Sequence, residues 1–186
     1  MTDITFISGN QSKADYLAKF LDLPIKHIKL DLSEIQSLDI QEVVDHKVRE
    51  AYSIIKSPVL VEDVALEFGA FNRLPGTFIK FFIEEIKPEA ICAMLNNIDR
   101  SAIAKCLFGY YDGIKVELFE GTLPGHIADK PAGINGFGWD KIFIPNGYNV
   151  TNASLSNDQL NNVYTSLKPY SKLKEFFINS RTLVKS

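Results

Sequence analysis

Cysteine, histidine and tryptophan are scarce in this chain. Of 186 residues, two are cysteine, three histidine and one tryptophan. Cys92 and Cys106 show no CxxC or Cys/His spacing, which excludes a disulfide framework and a structural zinc site. Each sits among apolar residues and reads as a small core filler. His27, His46 and His126 lack metal-ligand spacing and read as structural or surface groups. No GxSxG, Cys–His arrangement or GxxxxGKS/T loop is present, so neither a covalent nucleophile nor a Walker A loop is indicated. No apolar run approaches the roughly 20 residues of a membrane span. The opening Met1-Thr-Asp-Ile-Thr has no basic segment followed by an apolar one, so no signal peptide is expected and the cytoplasm is the expected location. No repeat and no low-complexity tract interrupts the chain. Charge lacks a dominant sign too: 20 Lys+Arg against 23 Asp+Glu give a net −3. That excludes a broad basic field for nucleic acid, but not a local basic cleft for a small polyanion.

What is there is ordinary globular composition, 46% hydrophobic and 23% charged. A chain of this length buries about 70% of its surface, enough for one domain over residues 1–186, read as bilobed. Ile4–Ser8 is a short β-branched run and reads as a strand. From about Gln11, Ala14, Leu17 and Leu21 recur at helical spacing, and Lys26–Leu30 is a second strand candidate. Gln41–Lys56 is the clearest helix, with Val44, Val48, Ala51 and Ile55 on one stripe. Pro58-Val-Leu-Val-Glu62 reads as a buried strand opened by its proline. Strand–helix–strand–helix–strand predicts an α/β sheet with parallel neighbours. Further on, Phe78–Ile86 and Pro88–Leu95 read as helices. Ala102–Tyr110 and Ile114–Phe119 flank the hairpin signal Asp112-Gly113. Gly121–Gly138 is rich in glycine and proline and reads as loop, Lys141–Ile144 as a short strand, and Tyr170–Val184 as a helix. The hairpin and the loop-rich stretch are expected to form a second lobe.

Several groups of residues could carry chemistry. Ser8-Gly9-Asn10-Gln11-Ser12-Lys13 joins a strand to a helix. The helix N-terminus, the donors of Ser8 and Asn10 and the cation of Lys13 suit a phosphate; alternatively Ser8 or Asn10 merely caps the helix. Glu62-Asp63 lies at the carboxyl end of a buried strand, where open α/β sheets bind ligands. Adjacent carboxylates there suit Mg²⁺ with substrate phosphates, or a solvated turn. Lys47, on the border of the apolar stripe, could snorkel or reach an anion, and Glu34 follows the second strand. Leu74-Pro75-Gly76 precedes Phe78-Ile79-Lys80. Gly136-Phe137-Gly138-Trp139-Asp140 places the one tryptophan in a loop, where aromatic faces could stack on a base and a carboxylate could accept from it.

Taken in order, Ser8-Gly-Asn-x-x-Lys13, Glu34, Lys47, Val61-Glu-Asp63, Leu74-Pro-Gly76 and Phe137-Gly-Trp-Asp140 resemble the inosine/xanthosine triphosphate pyrophosphatase family, also called Ham1-like. The resemblance runs from Ile4 to about Phe177. It implies an α/β fold with a long central mixed sheet, two α/β lobes and a cleft between them, and a homodimer. It implies hydrolysis of ITP, dITP or XTP to the monophosphate and pyrophosphate with Mg²⁺. Carried over residue by residue, Ser8, Gly9, Asn10, Lys13 and Lys47 would hold the phosphates. Glu34 and Asp63 would bind metal, and Asp63, with Glu62 beside it, would activate the attacking water. Phe137, Gly138, Trp139 and Asp140 would wall the base pocket. No nucleic-acid or membrane partner is implied.

The departures cluster near the C-terminus. After Pro145–Tyr148 the family shows Thr-x-Ala-Glu, a lysine and then Ser-His-Arg. Here Thr151-Asn-Ala153 is kept, but Ser154, Leu160 and Tyr164-Thr165-Ser166 fill the later positions, and Lys141 replaces a proline. A two-residue shift would instead bring Ser166-Leu167-Lys168 into the place of Ser-His-Arg. The family's lysine, histidine and arginine grip the 6-oxo purine, so their loss should alter base selectivity more than phosphate chemistry. The alternative is a weak or inactive nucleotide-binding paralogue.

Overall fold

In the computed structural model, which describes residues 4–183, the opening α/β pattern is realised closely. β1 (Ile4–Ile7) is buried throughout, and β2 (Ile25–Ile28) and β3 (Val59–Phe68) pair with it in parallel. Between them run α1 (Gln11–Leu21) and α2 (Ile40–Ile55). Each helix has a side-chain N-cap and a left-handed C-cap residue. Asn10 accepts from the Ser12 N–H and Asp39 from the Gln41 N–H, while Asp22 and Lys56 close the ends. On α2 the spacing does its work: Val44, Val48 and Ala51 are fully buried and Ile55 half-buried.

β3 is twice the length of the apolar run that announced it, continuing through Glu62 and Asp63 to Phe68. β4 (Pro75–Gly76) pairs antiparallel with its far end. The helix expected over Phe78–Ile86 starts as α3 (Ile79–Phe81) and widens into a π-helical turn over Phe82–Ile86; α4 (Pro88–Met94) follows. β5 (Ser101–Tyr111) and β6 (Val116–Ile127) form the hairpin at Asp112-Gly113. β7 is Phe143–Pro145; α5 is Asn157–Leu167 and α6 Tyr170–Leu183. Val184, the expected end of the last helix, lies outside the described residues. Strand order is β2-β1-β3-β5-β6-β7, with β4 paired to β3.

Two expectations change. The glycine- and proline-rich stretch does not begin as a loop: β6 runs through Gly121, Pro124 and Gly125. Gly125 lies opposite Pro145 of β7, and a Cβ on it would meet the Ile144 carbonyl and the Phe143 ring. The glycine thus serves strand approach rather than a turn. Second, the hairpin does not belong wholly to one lobe. One compact unit comprises residues 1–63, 107–120 and 169–186; the other comprises 64–106 and 121–168. The division cuts β3, β5 and β6, so the hairpin tip belongs to the unit of the first strands.

The first unit's core is built on Phe6, Leu17, Leu21, Val48 and Leu60, all inaccessible to solvent. Phe108 packs against both Phe6 and Tyr170, and Tyr170 stacks on Phe20. In the second unit Arg100 donates to the carbonyls of Ile127, Cys92 and Ala128. Cys92 and Cys106 are buried and outside any disulfide, as expected, and burial pushes Cys92 above the usual thiol range.

Candidate active site

The Ser8–Lys13 joint lies between β1 and α1. Ser8 Oγ accepts from the Asn10 N–H at 3.1 Å, and Asn10 Oδ1 accepts from the Ser12 N–H at 2.9 Å. The capping role foreseen for Asn10 is therefore realised. Gly9 does not adopt the left-handed backbone of a tight turn, and nothing lies within 4 Å of where its Cβ would stand. Its missing side chain leaves the face of the loop open. One turn into α1, Lys13 reaches the Glu62 carboxylate at 3.5 Å. That carboxylate side chain is fully buried on β3, next to β1 in the sheet. A charge so placed requires compensation, and Lys13 contributes to it.

At the next residue of β3, three charged groups meet, from β3, α2 and the segment after β2. Lys47 Nζ donates to Asp63 Oδ2 at 2.9 Å and to Glu34 Oε1 at 3.0 Å. Lys47 and Asp63 are largely shielded, whereas Glu34 is exposed on the segment after β2. Burial pulls the Lys47 ammonium down, but Asp63 and Glu34 outweigh it, and the net effect raises Lys47 above its usual range. The alternation of β3 explains the different environments of the carboxylates: successive side chains face opposite sides, so Glu62 meets α1 and Asp63 meets α2. Lys13, Glu34, Lys47, Glu62 and Asp63 all belong to the first unit.

Glu34 and Asp63 are hard oxygen donors presented to one cation, a donor set that suits Mg²⁺. Among the described residues no three His, Cys, Asp or Glu side chains form a metal cluster. A divalent ion here would take two carboxylates from the protein and complete its shell from substrate and water, the usual Mg²⁺ arrangement.

The Gly136–Asp140 loop lies in the second unit. Phe137 is 37% exposed, Trp139 half-buried and Asp140 3% exposed. Asp140 turns inward. Its Oδ2 accepts from the Tyr164 hydroxyl at 2.5 Å and from the Phe137 N–H at 2.8 Å; its Oδ1 accepts from Asn152 Nδ2 at 2.9 Å. Burial pushes Asp140 above the usual carboxylate range, against the pull of these donors and of Lys168. Gly136 has φ +73°, and a Cβ there would strike the Asp140 carboxylate. Gly138 has φ +60° with open space around its Cα. The Phe137 ring leans on Tyr164, with centroids 5.8 Å apart. Lys141 is exposed, while Lys168 is buried with Nζ 6.0 Å from the Tyr164 ring centroid.

Tyr164, Asn152 and Lys168 belong to this network, and reading the sequence by family motif counts Tyr164 only as a departure. α5, which carries Tyr164, was legible: Ser156-x-x-Gln159 is a capping box, and both reciprocal hydrogen bonds form. His27, read as a structural or surface group, has a ring nitrogen 2.7 Å from the Ser8 carbonyl. A shallow depression on α2, lined in part by Asp45, His46, Arg49 and Glu50, includes none of Lys13, Glu34, Lys47 and Asp63.

Comparison with known proteins places the chain among relatives. A family model described as the Ham1 family matches residues 4–176. Inosine triphosphate pyrophosphatase 2 of Trypanosoma cruzi is 40% identical over 179 residues, covering 94% of this chain and 91% of that protein. The inosine triphosphate pyrophosphatase of Schizosaccharomyces pombe is 38% identical over 181 residues, covering 95% of each. Among solved structures, a HAM1 protein from Coxiella burnetii superimposes with a TM-score of 0.83 at 26% identity, covering 96% of this chain and 100% of that one. The Staphylococcus aureus Ham1 protein gives 0.79 at 27% identity, with the same coverage.

Proposed function

The chain belongs to the Ham1 family, and from that premise we propose that it hydrolyses inosine- and xanthosine-type nucleoside triphosphates to the monophosphate and pyrophosphate. The observation that carries this reading is the meeting of Lys47 with both Glu34 and Asp63. Three segments distant in sequence deliver a cation and two carboxylates to one place, and the neighbouring residue of β3, Glu62, holds a second cation, Lys13. Anhydride hydrolysis needs that combination: positive charge for the phosphate oxygens and a carboxylate for the water.

In this reading the Ser8–Asn10 loop, with its open face at Gly9, takes phosphate oxygens, and Lys13 and Lys47 neutralise their charge. Glu62 sets the position of Lys13 from the interior. Asp63 orients the water and accepts its proton. Magnesium, held by Glu34 and Asp63, supplies further charge neutralisation when bound. By the family resemblance Phe137, Gly138 and Trp139 take the base, while Asp140 holds their loop in shape from beneath. The family resemblance supports a homodimer in the cytoplasm, and no described helix is long and apolar enough to cross a membrane.

Pyrophosphate release from ITP, XTP, dITP, GTP, ATP and dUTP, measured with Mg²⁺, tests the reading. Turnover of the 6-oxo purine triphosphates supports it; nucleotide binding without turnover of any member overturns it in favour of an inactive paralogue.

A further inference from the structure

Phe137 stands between two glycines, Gly136 and Gly138, and glycine constrains the backbone least of all residues. What fixes the Phe137 ring must come from elsewhere in the fold, and it comes from α5. Tyr164 lies on the buried side of that helix with Leu160, Val163 and Leu167, and the Ser156–Gln159 box caps the helix start. From this base Tyr164 reaches Phe137 by two routes. Ring meets ring, with centroids 5.8 Å apart. The Tyr164 hydroxyl also donates to Asp140 Oδ2 at 2.5 Å, and the same oxygen accepts from the Phe137 N–H at 2.8 Å. One carboxylate oxygen thus ties a side chain of α5 to the backbone of Phe137.

The arrangement leaves the Phe137 ring usable. The two rings are inclined at 42° rather than stacked, and Phe137 stays partly exposed. The tyrosine supports the ring without covering it. The carboxylate between them is itself held: Asn152 Nδ2 donates to Asp140 Oδ1 at 2.9 Å. The Phe137 carbonyl in turn accepts from the Asp140 N–H at 3.2 Å, so the two residues are bonded both ways. Buried Lys168, with Nζ 6.0 Å from the Tyr164 ring centroid, places a positive charge in the same network. All five residues lie in the second unit.

We infer that Tyr164 is a positioning residue of the base site: through Asp140 it holds the Phe137 ring ready as a surface on which a purine stacks. The inference rests on the reading of Phe137–Trp139 as the base site. Stacking engages the face of a base and not the groups at its edge, so it tolerates changes of base. Tyr164 therefore serves affinity for the nucleoside and is indifferent to which 6-oxo purine is bound.

Steady-state hydrolysis of ITP and XTP is measured with Mg²⁺ for wild type, Tyr164→Phe, Phe137→Ala and the double variant. Tyr164→Phe keeps the buried ring and removes only the hydroxyl. Phe137→Ala is expected to raise KM by about 5- to 150-fold, the worth of stacking one base. Tyr164→Phe is expected to raise KM about three- to tenfold, within the worth of one hydrogen bond. In both, kcat should fall by less than KM rises, because stacking holds substrate and transition state alike. ITP and XTP should shift by the same factor. With Phe137 already removed, Tyr164→Phe should change KM by less than about twofold, since residues that act through one another are not additive. Absence of turnover in wild type overturns the proposed function itself. Unchanged KM in Phe137→Ala overturns the base-site reading. If Phe137→Ala raises KM and Tyr164→Phe does not, the role of Tyr164 alone is overturned. The same follows if Tyr164→Phe costs as much without Phe137 as with it, the mark of a general structural role, or if it shifts ITP and XTP by different factors.

Discussion

The ammonium of Lys47 sits 2.9 Å from a carboxylate oxygen of Asp63, and neither group is far from the interior. One group is a helix residue and the other a strand residue, sixteen positions apart. Their contact places a permanent cation against the carboxylate assigned to the water. Asp63→Asn keeps shape and hydrogen bonding but cannot accept a proton. Turnover of ITP should fall by about 10²–10⁴-fold, the usual worth of a general base. Circular dichroism and melting should stay close to wild type; a fully active Asp63→Asn would remove the assignment.

Lys47 titrates above its usual value of about 10.5. Its contribution to stability is therefore complete below that value and is lost only as pH rises through the higher, folded-state value. Any decline in activity between about pH 7 and 9 should come from another group, and should persist with the same midpoint in Lys47→Arg. A midpoint that moves with this substitution would contradict the prediction.

Metal removal should act on the same place. Chelation with EDTA should abolish turnover, and added Mg²⁺ should restore it. Glu34→Gln should raise the Mg²⁺ concentration needed for half-maximal activity more than it lowers the maximum, because Asp63 still provides one carboxylate.

Asp140 offers a test of burial against hydrogen bonding. Its folded-state value lies above the ordinary 3.8, chiefly through burial. The native state thus holds the proton more tightly than the unfolded chain. That stabilisation is complete below about 3.8 and is lost as pH rises through the folded-state value. Asp140→Asn should accordingly lose less stability than wild type on going from about pH 4 to 7, as read by melting temperature. It should also be well tolerated, since Asn152 Oδ1 is buried without a partner and a flip of that amide would offer it to the new side-chain nitrogen. Asp140→Ala strands Tyr164, Phe137 N–H and Asn152 together and should cost about 3–5 kcal/mol.

Gly133 has φ +84°, and a Cβ there would run into the backbone of Ala153. The N–H groups of Ile134 and Asn135 both bond to the Ala153 carbonyl, so neither strand of chain can yield. Gly133→Ala should cost about 3 kcal/mol or more, a fall of roughly 6–12 °C in melting temperature for a protein of this size. A change under about 1 kcal/mol would show that the loop has room to move.

Much of the first unit could be read without coordinates. The apolar stripe of α2 and the cap at Asn10 are local patterns that formed where expected, and the buried strand at Pro58–Glu62 formed too but runs on through Asp63 to Phe68. α5 is equally local in its Ser156–Gln159 box. β6 was hidden. Gly121, Pro124 and Gly125 are turn formers by local preference, and only the partner strand β7, with its Phe143 ring, calls for a glycine there.

The order of elements, the charged residues of the site and the family they resemble were determined by the sequence, because backbone preference and side-chain periodicity act over a few residues. Tertiary structure decided which partners those charges meet. Glu62 turned to Lys13 while its neighbour Asp63 turned to Lys47, Asp140 went inward to Tyr164 rather than outward, and His27 came to rest against the Ser8 carbonyl. Those outcomes depend on strand register and on how helices pack over a sheet, and such contacts join residues that no local pattern relates.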